Sequence, residues 1–584
     1  MSEKTVKVPY LKKIIKRIAP TFLVAFLVPF VIGICVPFEV FGNNLDEFYF
    51  SIGGFLPTSL LLTLAFTLAI MLILIFLPGK AYRVGCAIFI ALALMFFVQG
   101  TYLNGGMSSL AGDNLGDRKV TDGQKIFNLI IWIVVFAGAI TLSLLKDKNG
   151  IISIVGILVC GIVIITQVMG PVMLCMTTEN LFAPRELRIL ANGGNGKSHI
   201  VTNEGLTTIS SNGNVFFFCV DRFDQEYALE AYEECPEIFD GLEGFTAFDD
   251  NISLYGHTFP GVVNLLTTER FDLSKSRSEF LNSAYTDNKT LDVLHDNGYK
   301  VNLYTTPYYA FTDASYLPEY TENVAEAKSY DVDNKPLLSL RLMQIALYRC
   351  FPLVLKNSVG AVNSGTCNSF VISEGTDGFM QYSTDMKRVY TTITENTFNT
   401  VSDKIFSFIH VDGCHSVDYD EEWNKASLIE SGDIMISLKN SFKIINVYLE
   451  QLKQLGVYDE ATIVITGDHA APVDDTASLK GKSLTALFIK PSGVGEGTAL
   501  KRSTAQVSHD NVWAAILQSE GLNADGLDRS AFIINENEKT KRSHFWHTYK
   551  VPTTEFTYEV FGAGSDFSNW KLIKESSYDK FVMD

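Results

Sequence analysis

The sequence has little positive charge. Its 47 lysine and arginine residues face 65 aspartate and glutamate residues, which gives a formal net charge of −18. No stripe of basic residues with interleaved aromatic residues occurs either. Nucleic-acid binding depends on neutralising phosphates with basic side chains. The sequence therefore predicts a protein that has no nucleic-acid partner.

Signals for cysteine pairing are also missing. The chain has 9 cysteines, and none of them forms a CxxC pair. Those after residue 177 are Cys219, Cys235, Cys350, Cys367 and Cys414, an odd number that leaves at least one unpaired within the chain. This pattern excludes a fold held together mainly by a disulfide framework.

Long apolar runs dominate the chain before about residue 177. Crossing a bilayer takes roughly 20 apolar residues. The stretches that are long enough lie at about 19–38, 56–78, 84–103, 126–145 and 151–176. The central part of each stretch lacks ionisable residues, which transporters and proton pumps usually need there. We therefore expect these five stretches to anchor the protein, with the chemistry located elsewhere.

Basic residues are distributed unevenly around these stretches. They occur in the N-terminal KTVKVPYLKKIIKR and in the connections GKAYR and KDKNG, whereas segment 39–55 has none. By the positive-inside rule the N-terminus is cytoplasmic, and five spans then place the later residues outside. No small-residue cleavage site follows the first stretch, so we expect it to be retained. The predicted parts are a cytoplasmic N-terminus at 1–18, a transmembrane domain at 19–177, a linker at 178–213 and an extracellular domain at 214–584.

Strands alternate with helices after residue 213, which predicts an α/β domain with a mostly parallel sheet. Helices are predicted at 290–298, 429–455 and 508–521, and a late strand at 483–490. Three apolar strands end on polar residues: NVFFFCV before Asp221, DKIFSFIHV before the loop 412–415, and ATIVIT before Gly467, Asp468 and His469. Parallel strands place their carboxyl ends along one edge, where such sheets bind ligands. We therefore expect these polar side chains to converge.

Four segments, in this order, resemble the alkaline phosphatase/sulfatase superfamily: VFFFCVDRFD, HTFPGVVNLLTT, FIHVDGCH and VITGDHA. In particular they resemble its membrane-anchored lipoteichoic acid synthases and related phosphoglycerol and phosphoethanolamine transferases. In that branch a nucleophile stands seven residues before an LLTG turn, as Thr258 stands before Leu265 of LLTT. The resemblance implies metal ligands at Asp221, Thr258, Asp468 and His469. It also implies that His415 contacts the substrate and donates a hydrogen bond or proton to the leaving group.

The resemblance implies a metal-dependent phosphotransferase of the bacterial plasma membrane that works through a phosphothreonine at Thr258. The first choice of reaction is transfer of phosphoglycerol from a phosphatidylglycerol-like lipid to a cell-envelope glycan or polymer. The alternatives are phosphoethanolamine transfer, or an inactive protein that binds or regulates components of envelope synthesis. The mixed nitrogen and oxygen ligands favour Mn²⁺, with Zn²⁺ or Mg²⁺ as alternatives.

Three positions depart from the patterns of the related families. Lipoteichoic acid synthases have glutamate where this chain has Asp221, and the glycine of LLTG is Thr268 here. Sulfatases have a cysteine or serine nucleophile with arginine four residues later, whereas Thr258 is followed at that position by Val262. A formylglycine sulfatase is therefore not expected.

Each candidate residue also has an ordinary structural interpretation. Asp468 and His469 could form an exposed loop pair, and Asp221 could be a simple acid at a strand end. His415 could be a surface histidine. Thr258 could cap the helix that begins with FPGVV, because threonine is a good N-cap and proline suits the first turn.

The other histidines are interpreted as structural. His410 lies within an apolar strand, which favours a buried core residue whose hydrogen bonds are satisfied. His257 adjoins the nucleophile without being a motif position, and His509 lies at a helix start. His544 and His547 have a spacing seen among metal ligands but no evident partners.

The segment PLLSLRLMQIALYRCFPLVLK at 336–356 is long and apolar, but an internal proline and three basic residues argue against a sixth span. Its residues Arg341, Gln344 and Tyr348 fall on one helical stripe. One interpretation is an interfacial helix on the outer leaflet that leads a lipid headgroup to Thr258. The other is an amphipathic helix packed on the sheet.

Overall fold

A computed structural model of the chain describes residues 7–45, 47–104, 121–145, 150–185, 197–286, 288–307, 309–360, 362, 364–426, 432–470, 484–548 and 553–578. The chain forms two compact units. The helical unit comprises Met1–Lys197 and Ser329–Ser373, and the sheet unit comprises Ser198–Lys328 and Glu374–Asp584.

The α-helices are numbered here in chain order. They are α1 Lys7–Phe30, α2 Val36–Asn43, α3 Leu56–Ile75, α4 Gly79–Val98, α5 Asp122–Leu144, α6 Ile151–Thr177, α7 Gln225–Glu234, α8 Thr258–Thr267, α9 Arg277–Thr286, α10 Leu291–Asp296, α11 Lys335–Cys350, α12 Lys356–Val359, α13 Ser364–Asn368, α14 Met386–Glu395, α15 Ile434–Gln454 and α16 Val512–Ser519. Two π-helical turns, Val31–Cys35 and Gln99–Leu103, follow α1 and α4.

Five helices among the described residues are long and apolar enough to cross a membrane. They are Ile14–Asn43, Leu56–Ile75, Gly79–Leu103, Asp122–Leu144 and Ile151–Thr177. The first is longer than predicted, because a π-helical turn continues α1 into α2. Their outward faces carry exposed apolar side chains such as Leu61 (69% exposed), Ile133 (58%) and Met176 (81%). Surfaces of this kind are compatible with anchoring in a lipid bilayer.

A buried polar network joins α4 and α5 to the chain that follows α11. The amide oxygen of Gln99 accepts hydrogen bonds from Asn128 Nδ2 at 2.7 Å and from Trp132 Nε1 at 3.0 Å. The amide oxygen of Asn128 in turn accepts a bond from the Leu353 backbone at 3.0 Å. Since polar groups inside an apolar bundle must find internal partners, this network fixes how these segments pack.

Helix α11 belongs to the helical unit and not, as the second interpretation had assumed, to the sheet unit. Its apolar residues Leu338, Leu342 and Ile345 are buried in the apolar cluster of the helical unit, and Ser339 Oγ donates to the Phe55 carbonyl at 3.2 Å. The apolar face of α11 is therefore buried against the apolar helices of the same unit. The predicted domain boundaries had assigned this region to the catalytic domain. Contact of α11 with a membrane surface stays a prediction.

The strands are likewise numbered in chain order. They are β1 His199–Val201, β2 Thr208–Ser210, β3 Asn214–Val220, β4 Thr246–Ile252, β5 Tyr299–Tyr304, β6 Val324–Val332, β7 Val371–Gly375, β8 Asn399–Val401, β9 Lys404–Val411, β10 Thr462–Thr466, β11 Leu487–Lys490, β12 Lys501–Ser508, β13 Lys541–His547, β14 Thr553–Phe561 and β15 Trp570–Tyr578. The main sheet has the order β12-β4-β11-β10-β3-β9-β5, and β13-β14-β15 form a separate antiparallel sheet.

The main sheet is mostly parallel, as predicted. Only β11 runs antiparallel to its neighbours β10 and β4. Strand β3 is fully buried and is apolar after its first residue, Asn214, because helices cover both faces of the sheet. On one face Phe216 and Phe218 each lie 5.4 Å, between ring centroids, from Tyr448 of α15. On the other face Phe406 of β9 lies 5.5 Å from Trp513 of α16.

The helix that carries Thr258 packs on the same side of the sheet unit as α16. The Trp513 indole N–H donates to the carbonyl of Leu265 in α8 at 2.6 Å. The apolar residues Val262, Val263 and Leu266 of α8 are fully buried in the core. This packing fixes α8 firmly against the sheet and therefore fixes the position of its first residue.

Candidate metal centre

Two adjacent parallel strands deliver the two candidate aspartates. Cys219 of β3 pairs with Thr466 of β10, so Asp221 and Asp468, each two residues further on, leave the sheet side by side. Both side chains are buried, with exposed fractions of 1% and 0%. The backbone N–H of Arg222 donates to Asp468 Oδ1 at 2.9 Å. The register of one strand pair thus brings two carboxylates together at the carboxyl edge of the sheet.

The turn after β3 adopts a strained conformation to make that contact. Arg222 has φ of +59°, in the left-handed region that side chains with a Cβ occupy at a cost of roughly 1–2 kcal/mol. This conformation points the Arg222 amide at Asp468. The strain therefore supports the geometry of the candidate centre, as it often does at functional sites.

Thr258 is the first residue of α8. The N-cap position belongs to His257, which makes no side-chain capping bond, so the interpretation of Thr258 as the helix cap is wrong. The Thr258 hydroxyl instead lies 3.2 Å from His469 Nε2. Gly261 allows this approach, because a Cβ at that position would lie 2.9 Å from the Asp468 carbonyl oxygen.

His469 faces all three of the other candidate ligands. Its Nε2 lies 3.2 Å from Thr258 Oγ1, 3.6 Å from Asp468 Oδ2 and 3.8 Å from Asp221 Oδ1. Its Nδ1 lies 2.7 Å from the carbonyl of Ala470, which can only accept, so Nδ1 carries the proton. The lone pair of Nε2 is therefore directed at the cluster, as a metal ligand requires.

The donor atoms fit a divalent cation. Ligand atoms of Asp221, Asp468 and His469 all lie within 4.8 Å of one another. Both carboxylate oxygens of Asp221 and Oδ2 of Asp468 are buried without a hydrogen-bond partner. Burial, and then the neighbouring charge of Asp468, raise the pKa of Asp221 to about 8. Two buried carboxylates at this spacing repel each other when both are ionised, and a divalent cation between them would relieve that repulsion.

His415 lies next to this cluster rather than in it. The loop after β9 approaches Asp221 closely because Gly413 has φ of +49°, and a Cβ there would lie 2.7 Å from the Asp221 amide nitrogen. The side chain of His415 is exposed and lines a pocket of about 140 Å³ together with Arg222 and Tyr227. The guanidinium of Arg222 donates to the His415 carbonyl at 3.4 Å.

The prediction that His410 is a satisfied core residue is only half right. His410 is fully buried, but its Nε2 has no hydrogen-bond partner and lies 3.8 Å from Asp221 Oδ2. Its Nδ1 lies 3.1 Å from Thr305 Oγ1. Strand order would have revealed this contact, because β9 pairs with β3 and places His410 opposite Cys219. The sequence alone does not give that order.

Four further histidines surround the nucleophile segment in structural roles. Ring nitrogens of His257 and His544 lie 3.0 Å and 2.7 Å from the carbonyls of His547 and Ser253. His547 Nε2 lies 3.1 Å from Glu555 Oε2, and His509 Nε2 lies 3.2 Å from Thr485 Oγ1. Burial lowers the pKa of His257 to about 3 and those of His509 and His544 to about 4. These three rings are therefore neutral at physiological pH.

Solved structures with a similar fold come from several kinds of protein. The lipoteichoic acid synthase LtaP from Listeria monocytogenes is 14% identical, with 63% of this chain and 85% of that chain covered and a TM-score of 0.34. The phosphonate monoester hydrolase SpPMH from Silicibacter pomeroyi is 13% identical, with 63% and 89% covered and a TM-score of 0.33. An alkaline phosphatase superfamily protein from Vibrio parahaemolyticus is 12% identical, with 65% and 84% covered and a TM-score of 0.34.

The sequence itself matches one family. No curated protein matches the chain significantly. The sulfatase family profile matches residues 214–521, which is more than half of the chain and contains all four motifs of the predicted resemblance. The predicted relationship to the alkaline phosphatase/sulfatase superfamily is thereby confirmed. The chain belongs to the sulfatase family.

Proposed function

We propose that this protein is a metal-dependent phosphotransferase that transfers phosphoglycerol from a phosphatidylglycerol-like lipid to a hydroxyl of a cell-envelope glycan or polymer. The observation that carries the proposal is the placement of the Thr258 hydroxyl 3.2 Å from His469 Nε2, beside two buried carboxylates with unpartnered oxygens. A threonine in the nucleophile position supports phosphoryl transfer, because sulfatases carry a cysteine or serine there.

Asp221, Asp468, His469 and Thr258 would hold one divalent cation, with Mn²⁺ as first choice and Zn²⁺ or Mg²⁺ as alternatives. When bound, the cation supplies Lewis acidity towards the phosphoryl oxygen and lowers the pKa of the Thr258 hydroxyl. The protein contributes the fixed positions of these side chains. The packing of α8 and the register of β3 with β10 set those positions before any substrate binds.

The reaction proceeds in two displacements at phosphorus. Thr258 loses its hydroxyl proton to solvent and forms a bond from Oγ1 to phosphorus, while the bond from phosphorus to the diacylglycerol oxygen breaks. Protonated His415 gives that oxygen its proton, which leaves a phosphothreonine and neutral His415. The acceptor hydroxyl then attacks phosphorus and gives its proton to His415. Thr258 leaves and regains a proton, so atoms and charge balance over the cycle.

The pocket beside His415 supports phosphoglycerol over phosphoethanolamine. Among its described lining residues, Arg222 carries the permanent charge, and no acidic side chain is present. A glycerol headgroup offers neutral hydroxyls that accept hydrogen bonds from a guanidinium. The ammonium of ethanolamine would instead face a like charge. Phosphoethanolamine transfer is therefore the second choice.

The helical unit supports a membrane location. Its five apolar helices would hold the enzyme at a bilayer, where the lipid donor is also located. The distribution of basic residues favours a cytoplasmic N-terminus and a catalytic unit outside the bacterial plasma membrane. This orientation, like the donor and the acceptor, is part of the proposal.

The test uses the full chain in detergent with radiolabelled phosphatidylglycerol and Mn²⁺, and measures release of diacylglycerol. Thr258→Ala should lower the rate on the order of 10⁴-fold or more, because no other group replaces an activated nucleophile. Thr258→Ser should retain part of the activity and form a covalent phosphoserine, detectable by mass spectrometry. Thr267→Ala in the same helix is the matched control and should stay near wild type.

Three outcomes would contradict parts of the proposal. Equal rates for wild type and Thr258→Ala would remove the phosphothreonine mechanism. Turnover of phosphatidylethanolamine in place of phosphatidylglycerol would move the headgroup assignment to the second choice. Binding of Mn²⁺ without turnover of either lipid would favour the inactive binding or regulatory protein.

A further inference from the structure

We infer that His410 is a positioning residue for the proposed cation site: through its Nε2 it holds the second carboxylate oxygen of Asp221. The inference rests on the proposed function, since it concerns how one of the proposed ligands is oriented. His410 lies on β9, the strand next to β3, and is not among the four candidate ligands. Its role is therefore indirect and acts through Asp221.

The two histidines contact different oxygens of the same carboxylate. His469 Nε2 lies 3.8 Å from Asp221 Oδ1, and His410 Nε2 lies 3.8 Å from Asp221 Oδ2. His410 and Asp221 are 0% and 1% exposed, and neither His410 Nε2 nor the Asp221 oxygens have a hydrogen-bond partner. Water is excluded from this contact, so each group is the other's available partner.

The orientation of the His410 ring is fixed from its other side. Its Nδ1 lies 3.1 Å from the hydroxyl of Thr305, a buried residue that follows β5. The Tyr309 ring lies 5.2 Å from the His410 ring, between centroids, and Tyr382 Oη donates to the His410 carbonyl at 2.6 Å. When Thr305 donates to Nδ1, the proton of His410 sits on Nε2 and faces Asp221.

This arrangement is what a ligating carboxylate needs. A carboxylate that gives one oxygen to a cation is free to rotate unless a donor holds the other oxygen. A movement of roughly 1 Å brings the Nε2 to Oδ2 separation from 3.8 Å to hydrogen-bond length. The buried N–H would otherwise lack a partner, which is costly. Thr305, His410 and Asp221 therefore form a chain that ends at the cation site.

The test measures Mn²⁺ affinity of the full chain in detergent by isothermal titration calorimetry. His410→Ala should weaken binding about 10- to 100-fold, the usual effect of losing a partner that orients a ligand. His410→Gln can place an amide N–H near the position of Nε2 and should stay within about threefold of wild type. Thr305→Val should weaken binding by a smaller factor, because it removes only the hydroxyl that fixes the ring.

Two controls separate this role from a loss of folding. Phe408→Leu alters the same strand two residues earlier and leaves the polar chain intact, so it should lower the melting temperature but keep wild-type Mn²⁺ affinity. Thr321→Val replaces another buried threonine, whose hydroxyl has no hydrogen-bond partner. This variant should keep both the wild-type melting temperature and the wild-type Mn²⁺ affinity. The melting temperature of each variant, measured with a chelator present, reports its folding.

The outcomes distinguish this inference from the proposed function. If wild type binds no divalent cation, the proposed metal chemistry fails. If wild type binds Mn²⁺ and folded His410→Ala binds it equally well, only the role of His410 is overturned. If His410→Ala does not fold, the Mn²⁺ affinity of Thr305→Val is the deciding measurement. A wild-type Mn²⁺ affinity in Thr305→Val would then overturn the inference. Equal losses in Phe408→Leu and His410→Ala would also overturn it.

Discussion

Two buried ionic clusters in the sheet unit differ in how their polar atoms are satisfied. Arg542 of β13 is 3% exposed and donates to the backbone and side-chain oxygens of Asp250 at 2.7 and 2.9 Å and to the carbonyls of Val507 and Gly562 at 3.0 and 2.5 Å. Asp250 also accepts from the Gly564 amide at 3.0 Å. Asp221 is equally buried, but its carboxylate oxygens have no partner.

The difference separates a structural cluster from a candidate metal site. Arg542 connects β13 with β4, β12 and the turn after β14, and although its Nε has no hydrogen-bond partner, its charge is paired with Asp250 within the protein. The cluster around Asp221 could hold a metal ion, which would supply the missing partner for its carboxylate oxygens. Burial of charge is therefore not the functional signal at this protein's sheet edge. The signal is a buried carboxylate whose two oxygens both lack hydrogen-bond partners.

Removing Arg542 should give the largest effect on stability. Arg542→Met removes a buried guanidinium from the half-buried Asp250 and should lower the free energy of unfolding by about 3–5 kcal/mol. Chemical denaturation of the full chain in detergent, followed by tryptophan fluorescence, measures this change. Lys541→Met removes an exposed ion pair with Glu559 from the same strand and should stay close to wild type. Lower Mn²⁺ affinity in folded Arg542→Met would contradict the separation of the two clusters.

Neutralising Asp221 should raise the free energy of unfolding, whereas removing Arg542 should lower it. Without a cation at pH 8, Asp221→Asn should be more stable than wild type by on the order of 2 kcal/mol, because a buried group that cannot be satisfied is replaced by a neutral one. The same variant should lose Mn²⁺ binding. Melting temperatures with a chelator and calorimetric titrations with Mn²⁺ measure both effects.

The pH dependence of that effect follows from the pKa of Asp221. The pKa is about 8 in the folded protein, against an ordinary value of 3.8. The folded protein therefore keeps a proton that the unfolded chain releases, so this group's contribution to stability falls as pH rises from about 4 to about 8. Mn²⁺ should reverse the loss near pH 8. Parallel pH profiles for metal-free wild type and Asp221→Asn would contradict this account.

Relieving strain at Thr268 should give the smallest effect. Thr268 ends α8 with φ of +61°, a conformation that glycine adopts without strain. Thr268→Gly should raise the free energy of unfolding by about 1 kcal/mol and leave the proposed transferase activity unchanged. Thr268→Ala keeps the strain and should stay near wild type, as judged by chemical denaturation. A loss of activity in Thr268→Gly would show that this turn, like the turn at Arg222, supports the site.

Much of the fold could be predicted because its strongest signals are local. The predicted strand NVFFFCV coincides with β3, since a short apolar run rich in β-branched and aromatic residues is typical of a strand buried on both faces. Strands β4 and β12 were not predicted, because their sequences TAFDDNI and KRSTAQVS carry polar and charged residues. The final antiparallel sheet β13-β14-β15 was also not predicted. Strands of this kind are stabilised by pairing with neighbouring strands, and the local sequence does not specify which strands those are.

The candidate site could likewise be predicted in part from the sequence. Asp221, Asp468 and His469 could be expected to meet, because parallel strands align their carboxyl ends. The sequence could not decide whether Thr258 caps α8 or points its hydroxyl at His469. The apolar strand around His410 predicted a core residue with satisfied hydrogen bonds, whereas its Nε2 is buried without a partner and faces Asp221. Both questions depend on contacts between segments far apart in the chain, which side-chain types and spacing do not specify.

The sequence by itself determined the five apolar helices, the mostly parallel sheet and the residue types of the proposed site. Local hydrophobicity and strand direction are properties of short segments, so short segments reveal them. Only the tertiary structure decided that α11 packs in the helical unit, that Arg542 is paired with Asp250 while both Asp221 oxygens lack a hydrogen-bond partner, and that His410 faces the site. Whether a buried polar atom has a partner depends on the register and order of strands, and these form only when the chain folds.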